Sequence, residues 1–374
     1  MSSFVFDRPA VGPGRYLGHE QLVRSLLTGL EQGRSFLLCG GPKTGRTSTL
    51  LQLAHLMELL QRRNPKGNRL IPVPVNLISL FAKGQSALAA PLYEAICERV
   101  LDPKVFGNSV PPRAPTLASA RAQEPFAALQ AALTELFDRL SGTPGWCRYV
   151  LLLDDADLLF SSDRHLLQQS LAKFVDAKST ASPRAVVLAG GRLVRETLFD
   201  THSPWAFARP LFLSALKRSD AETIIRAPFE KVAPSFIEEI QGQSGCHPYL
   251  LQRLLAEHEL QQFAGTEASL ARGLCADLEA LGEALWREFD LGRGVTYRGA
   301  YAAPEHALMQ ALAEAEAPLT LKQAERELGI KPLKEFFELL DYLGLVERLL
   351  IGNDTCYRAS SQILNRWYLQ RIRR

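Results

Sequence analysis

Gly40-Gly41-Pro42-Lys43-Thr44-Gly45-Arg46-Thr47 has the spacing G-x-x-x-x-G-[K]-[ST], with arginine in the lysine position and Ser48 behind it. Glycines let backbone N–H groups close around a phosphate, and the positive end of a following helix faces the same anion. The hydroxyl of Thr47 is placed to hold Mg²⁺. Arg46 keeps the charge of the usual lysine, but a guanidinium is planar and bulkier and carries that charge elsewhere. Phosphate binding tolerates such a shift better than catalysis, which depends on exact placement of the donor. Lys43 is a second cation in the loop. A second segment, Tyr149-Val150-Leu151-Leu152-Leu153, ends on Asp154 and Asp155. A carboxylate at the C-terminal end of a central strand beside a phosphate loop can hold Mg²⁺ through water, a role that suits Asp154. Asp155 stands where a general base would activate water, on a side chain one methylene shorter than glutamate.

These residues need particular elements around them. Ser35–Cys39 is a short apolar run that reads as a buried strand leading into the loop. Leu50, Leu51, Leu53, Ala54, Met57 and Leu60 give a helix after it, ending near Asn64-Pro65. Further strands are expected at Leu70–Leu77, where Pro72 and Pro74 suggest a sheet edge, at Tyr149–Leu153 and at Ala185–Ala189. A helix is expected over Gln21–Leu30 and another over Phe126–Leu140. Strands that are apolar throughout and alternate with helices imply a parallel sheet covered on both faces. Five prolines in residues 102–125 read as a long inserted surface loop.

After about Leu213 the strand signals stop, and residues 219–262 read as helices. A connector helix is expected over Glu267–Phe289, broken by Gly292, Gly294 and Gly299. The C-terminal part shows helices at Glu305–Ala315, Leu321–Leu328 and Leu333–Leu343. A hairpin follows at Val346–Leu350 and Thr355–Tyr357, turning at Gly352-Asn353-Asp354. Three helices and a hairpin make the winged helix-turn-helix pattern.

With 374 residues the chain is long enough for two to three domains of ~150 residues. Apolar residues at 47% and charged residues at 22% exclude a wholly disordered or collagen-like chain. A net charge of +3 does not by itself argue for nucleic acid or an anionic membrane. No apolar stretch reaches the ~18–20 residues of a membrane span, and Asp7, Arg8 and Pro9 leave no room for a secretory signal, so a cytoplasmic location is expected. The six cysteines form no C-x-x-C pair and read as packing residues.

Together the two segments and the order of elements resemble the P-loop ATPases of the AAA+ and STAND group, over residues ~15–374. The implied fold is α/β: a parallel-sheet P-loop NTPase core, a small helical lid and a winged helix. The corresponding ranges are an N-terminal tail at 1–14, a nucleotide-binding domain at 15–213, a lid at 214–265, a connector at 266–300 and a winged helix at 301–374. Gly40–Thr47 is similar to the Walker A loop apart from Arg46, and Leu151–Asp155 to the Walker B strand. Tyr16-Leu17-Gly18-His19-Glu20 resembles the segment that lies near adenine, with His19 in place of arginine. Ala189-Gly190-Gly191-Arg192 resembles the sensor 1 segment, which makes Arg192 a candidate γ-phosphate sensor. Gly245-Cys246-His247-Pro248-Tyr249 resembles the segment whose proline, here Pro248, packs on the base. Arg195, Arg209 and Arg226 are equal candidates for an arginine finger.

The resemblance implies ATP or ADP with Mg²⁺ as ligands. The third helix of the winged helix mixes Lys331 and Lys334 with Glu335, Glu338 and Asp341, a poor footprint for nucleic-acid phosphates. Arg366, Arg371, Arg373 and Arg374 read as a solvated basic tail. The leading expectation is a nucleotide-controlled switch with weak or partner-dependent hydrolysis, partnered by another protein or by itself. A nucleotide-independent assembly scaffold and a DNA-bound ATPase of the initiator or transposition-regulator kind are the alternatives.

Overall fold

The computed structural model describes residues 10–12, 16, 18–63, 69–81, 89–102, 113–115, 125–141, 147–160, 165–176, 184–198, 200, 202–227, 232–264, 277–285, 304–331 and 333–373. Most of the Pro-rich segment and the glycine breaks at Gly292, Gly294 and Gly299 lie outside these residues. The chain forms two compact units. One comprises Glu20–Cys39 and Arg46–Leu211, and the other comprises the residues up to His19, Gly40–Gly45 and Phe212–Arg374.

The first unit holds most of a five-stranded sheet: β1 (Phe36–Gly40), β2 (Arg69–Asn76), β3 (Cys147–Asp154), β4 (Arg184–Gly190) and β5 (Arg209–Leu213). Its order is β2-β3-β4-β1-β5, and the pairings β1·β4, β2·β3 and β3·β4 are parallel. Every residue of β1 and β4 is buried, as strands covered on both faces must be. Pro72 and Pro74 sit on β2, an edge strand, where a missing N–H costs no ladder bond on the outer side. The covering helices are α1 (Glu20–Glu31), α2 (Arg46–Arg63), α3 (Leu77–Phe81), α4 (Ala89–Val100), α5 (Pro125–Ser141), α6 (His165–Asp176) and the short α7 (Arg192–Glu196). Phe137 of α5 meets Tyr149 and Phe174 edge-on at 5.2 and 5.1 Å, and the Arg184 guanidinium lies 4.4 Å from the Phe174 ring.

β5 was not legible as a strand. It is five residues long, contains Pro210 and exposes most of its length at the other sheet edge, so it lacks the apolar run that marks the central strands.

In the second unit, α8 (Arg218–Arg226), α9 (Pro234–Ser244) and α10 (Pro248–Ala264) pack around Ile224, Ile225, Ile237, Ile240, Leu251 and Leu255. Helical residues 277–285 follow, within the expected connector. Then come α11 (Pro304–Glu314), β6 (Leu319–Thr320), α12 (Leu321–Leu328), α13 (Lys334–Tyr342), β7 (Val346–Ile351), β8 (Asp354–Ala359) and α14 (Gln362–Arg373). Thr320 caps α12 in a full capping box with Gln323, and β6, β8 and β7 form a small antiparallel sheet. This is a winged helix.

The C-terminal stretch is helical rather than a loose tail, and its Arg366 is exposed as expected. The stretch continues as α14, with Leu364 and Tyr368 buried and the Trp367 indole N–H donating to Glu279 at 2.6 Å. Apolar residues at helical spacing let one face of α14 pack, while Arg366 on the same helix is exposed. Among the described residues no helix is long and apolar enough to cross a membrane.

Candidate functional site

The loop runs from the buried end of β1 straight into α2, so its backbone amides and the first turn of an 18-residue helix follow one another in the chain. Gly45 has φ +102°, a conformation that a side chain resists, and it immediately precedes Arg46. Thr44 is fully buried and its hydroxyl donates to Gly41 O at 2.8 Å, which ties the loop to itself.

In the sheet unit, Thr47 and Asp154 meet. The Thr47 hydroxyl donates to Asp154 Oδ2 at 2.6 Å, and Asp154 Oδ1 accepts the Asp155 N–H at 3.1 Å. A hydroxyl and a buried carboxylate are the hard oxygen donors that Mg²⁺ takes, together with phosphate oxygens and waters. The residues present therefore fit the cation. Ser48 follows on α2, half-buried.

Asp155 is left-handed, at φ +56° and ψ +40°, which re-aims the carboxylate where β3 ends and a 3-10 turn (Ala156–Leu159) begins. Burial raises its carboxyl pKa, helped by the negative charge of Asp154; Arg46 and a hydrogen bond from Asn76 act the other way. Asn76, at the end of β2, donates to Asp155 Oδ2 at 3.0 Å. Sequence reasoning missed it. The register pairs Asn76 with Asp154, but that register cannot be read from a run that looks merely like a proline-containing edge strand.

Arg46 Nη1 lies 3.5 Å from Asp157 Oδ2. Asp157 was also missed, and it has several tasks. Its Oδ1 accepts Val194 N–H at 3.1 Å and its Oδ2 accepts Gly191 N–H, so it anchors the start of α7. Arg192 opens that helix and donates from Nε to Glu196 at 2.7 Å. The signal in the sequence is a third aspartate in Asp154-Asp155-Ala156-Asp157.

In the second unit, Gly40–Gly45 meets residues from the helical module and the winged helix. The Pro42 carbonyl lies 3.2 Å from His247 Nε2, the Lys43 ammonium sits 5.4 Å above the Tyr249 ring, and Gly41 packs on Leu343. Pro248, between His247 and Tyr249, is half-buried at the start of α10. Gly18, next to His19, packs on Leu216, whose N–H donates to Cys246 O at 2.9 Å. Among the described residues the three non-glycine positions with positive φ are Lys43, Asp155 and Cys246. Cys39, in β1, is a packing thiol: burial pushes its pKa up to about 12.

No protein-family model matches the chain, and no curated protein matches it in sequence. Solved structures do. The Walker-type ATPase of Pyrococcus abyssi aligns over 97% of this chain and 99% of its own, with a TM-score of 0.63 at 16% identity. The ORC2 protein of Aeropyrum pernix, solved as ADPNP and ADP complexes, aligns over 99% and 98% with a TM-score of 0.53 at 13% identity. At such identities the likeness is one of fold: an α/β core built on a parallel five-stranded sheet, as in P-loop NTPases, followed along the chain by helices and a small antiparallel sheet.

Proposed function

We propose that the protein is an ATP- and ADP-binding switch of AAA+ and STAND-like kind, whose nucleotide state governs movement of its helical and winged-helix modules and the binding of a protein partner. The observation that carries this reading is the 2.6 Å bond between Thr47 and Asp154 across 107 positions of sequence. It brings the hydroxyl that ends the phosphate motif to the carboxylate that ends the central strand, which is what a shared Mg²⁺ would need. Gly40–Gly45 with Arg46 and Ser48 would cradle the phosphates, and His19 and Pro248 are the candidates for the base. When bound, Mg²⁺ would neutralise phosphate charge. Asp155 is the candidate base and Arg192 the candidate sensor.

Hydrolysis by the isolated chain is proposed to be weak. The positive charge at position 46 is turned toward Asp157, and a guanidinium drawn to a carboxylate is a poor substitute for an ammonium between phosphates. The partner is proposed to be protein. Lys334 of α13 pairs with Glu338 at 3.8 Å, and the hairpin tip exposes Leu350 at 77% and Ile351 at 52%. Those are groups for contact with protein rather than with nucleic-acid phosphates. Equilibrium binding of labelled ATP and ADP, with and without Mg²⁺, tests the reading. Absence of binding in both conditions would leave only the scaffold.

A further inference from the structure

We propose that His247 is a positioning residue of the phosphate loop, and that through it phosphate binding and docking of the Leu343–Gly344 turn of the winged helix reinforce each other. The proposal deepens the nucleotide-switch reading above and rests on it.

Three consecutive loop residues are held from outside the loop, each by a different contact. A methyl group added at Gly41 would lie 3.2 Å from both Cα and O of Leu343, so the winged-helix backbone lies against the loop backbone with no room for a side chain. The Pro42 carbonyl is 3.2 Å from His247 Nε2. Lys43, with φ +59°, extends its ammonium over the ring of Tyr249. Gly344, next to Leu343, has φ +74°, and a methyl added there would lie 3.8 Å from His247 Cδ2. Loop, lid helix and winged helix therefore meet at one imidazole.

That imidazole is only 2% exposed, and its Nδ1 is buried with no hydrogen-bond partner among the described residues. Burial lowers the pKa to about 4, so the ring is neutral at ordinary pH. A neutral ring facing a carbonyl must carry its proton on Nε2, and the Nδ1 lone pair is then left unsatisfied. Cys246 at φ +55° and Gly245 at φ +61° form the left-handed turn that leads the chain into His247. An unpaired buried nitrogen and a strained cysteine are costs that pure packing does not require.

The gain is control of one peptide. With its oxygen turned to His247, the Pro42 carbonyl does not face the cradle. A flip of that peptide would point its partial negative charge at phosphate oxygens and take a donor out of line. The side of the loop that must keep this orientation is the side on which Leu343 packs. Whatever holds the turn in place also holds the loop ready, and by reciprocity phosphate in the loop holds the turn.

Two measurements on the full chain decide this. Nitrogen NMR of ring-labelled protein is expected to show neutral His247 with the proton on Nε2 at pH 7; an Nδ1–H tautomer or an imidazolium would overturn the proposal without any mutation. Hydrogen exchange is then compared among wild type, His247→Gln, whose amide nitrogen reaches the position of Nε2, and His247→Asn, whose shorter side chain does not. Without nucleotide, exchange at residues 40–46 and 343–345 should accelerate about tenfold in His247→Asn and stay near wild type in His247→Gln. Equal exchange in all three, or equal loss in both variants, overturns the positioning role. With Mg²⁺-ATP, residues 343–345 should slow in wild type and His247→Gln but not in His247→Asn; equal slowing in all three overturns the coupling. If ATP protects nothing at 40–47 in wild type, the nucleotide reading fails and takes the coupling with it, while the nucleotide-free comparison still decides the role of His247.

Discussion

Arg46 and Asp157, 111 positions apart in sequence, lie 3.5 Å from each other, and the same Asp157 carboxylate accepts backbone N–H groups from Gly191 and Val194. The cation at position 46 is thus drawn to a carboxylate that the fold has already fixed in place. Arg46→Lys should raise the ATP turnover of the isolated protein, by roughly tenfold to a hundredfold. Such factors correspond to restoring one well-placed charge against the developing charge on the γ-phosphate. A steady-state phosphate-release assay checks this. An Arg46→Lys variant that binds ATP and turns over no faster would shift the block to Asp155 or to a missing partner.

Asn76→Ala removes the 3.0 Å bond to Asp155, along with the two bonds that Asn76 Oδ1 accepts from Ser79, without touching the Thr47–Asp154 pair. ATP affinity should change less than about twofold, while turnover should change by about tenfold, the effect of losing one hydrogen bond that orients a charged group. Filter binding and phosphate release on the same preparations separate the two effects. A loss confined to affinity would place Asn76 in binding instead.

The ionisation of His247 gives a stability signature. Its pKa is lowered from 6.5 to about 4 in the folded chain, so between these values the unfolded chain binds a proton that the folded chain refuses. The stability gained is complete above about pH 6.5 and is lost as pH falls toward 4, about 3 kcal/mol in all. Denaturant unfolding of wild type and His247→Gln at pH 7 and at pH 4.5 should show wild type losing most of that amount relative to the variant. The carboxylates titrating in the same range are common to both proteins and cancel in the difference.

Much of this architecture was legible from the sequence. The central runs of β1, β3 and β4 (Phe36–Cys39, Tyr149–Leu153 and Ala185–Ala189) are apolar and buried because both faces are covered, and such runs announce themselves. The Gly40–Thr47 loop between β1 and α2 was readable because its glycines and Thr47 answer to local backbone and side-chain chemistry. Asn76 and Asp157 were not, since each acts only through a partner brought close by sheet register or by the turn after β3. β5 escaped because an exposed edge strand needs no apolar run, and α14 because its arginines dominate the composition while Leu364 and Tyr368 do the packing. His247 stood out only as the neighbour of Pro248. Its bond to Pro42 spans 205 positions and exists only in the folded chain.

The central claim is that Thr47 and Asp154 hold Mg²⁺ against a nucleotide bound at Gly40–Gly45, and calorimetric titration of Mg²⁺-ATP and of metal-free ATP into wild type and Thr47→Ala tests it most directly. The account predicts that wild type binds the metal complex more tightly than free ATP. It also predicts that Thr47→Ala loses most of that difference, about tenfold in affinity for one charge-assisted contact, while its metal-free affinity changes little. Identical affinities in wild type and Thr47→Ala, with and without the metal, would contradict it.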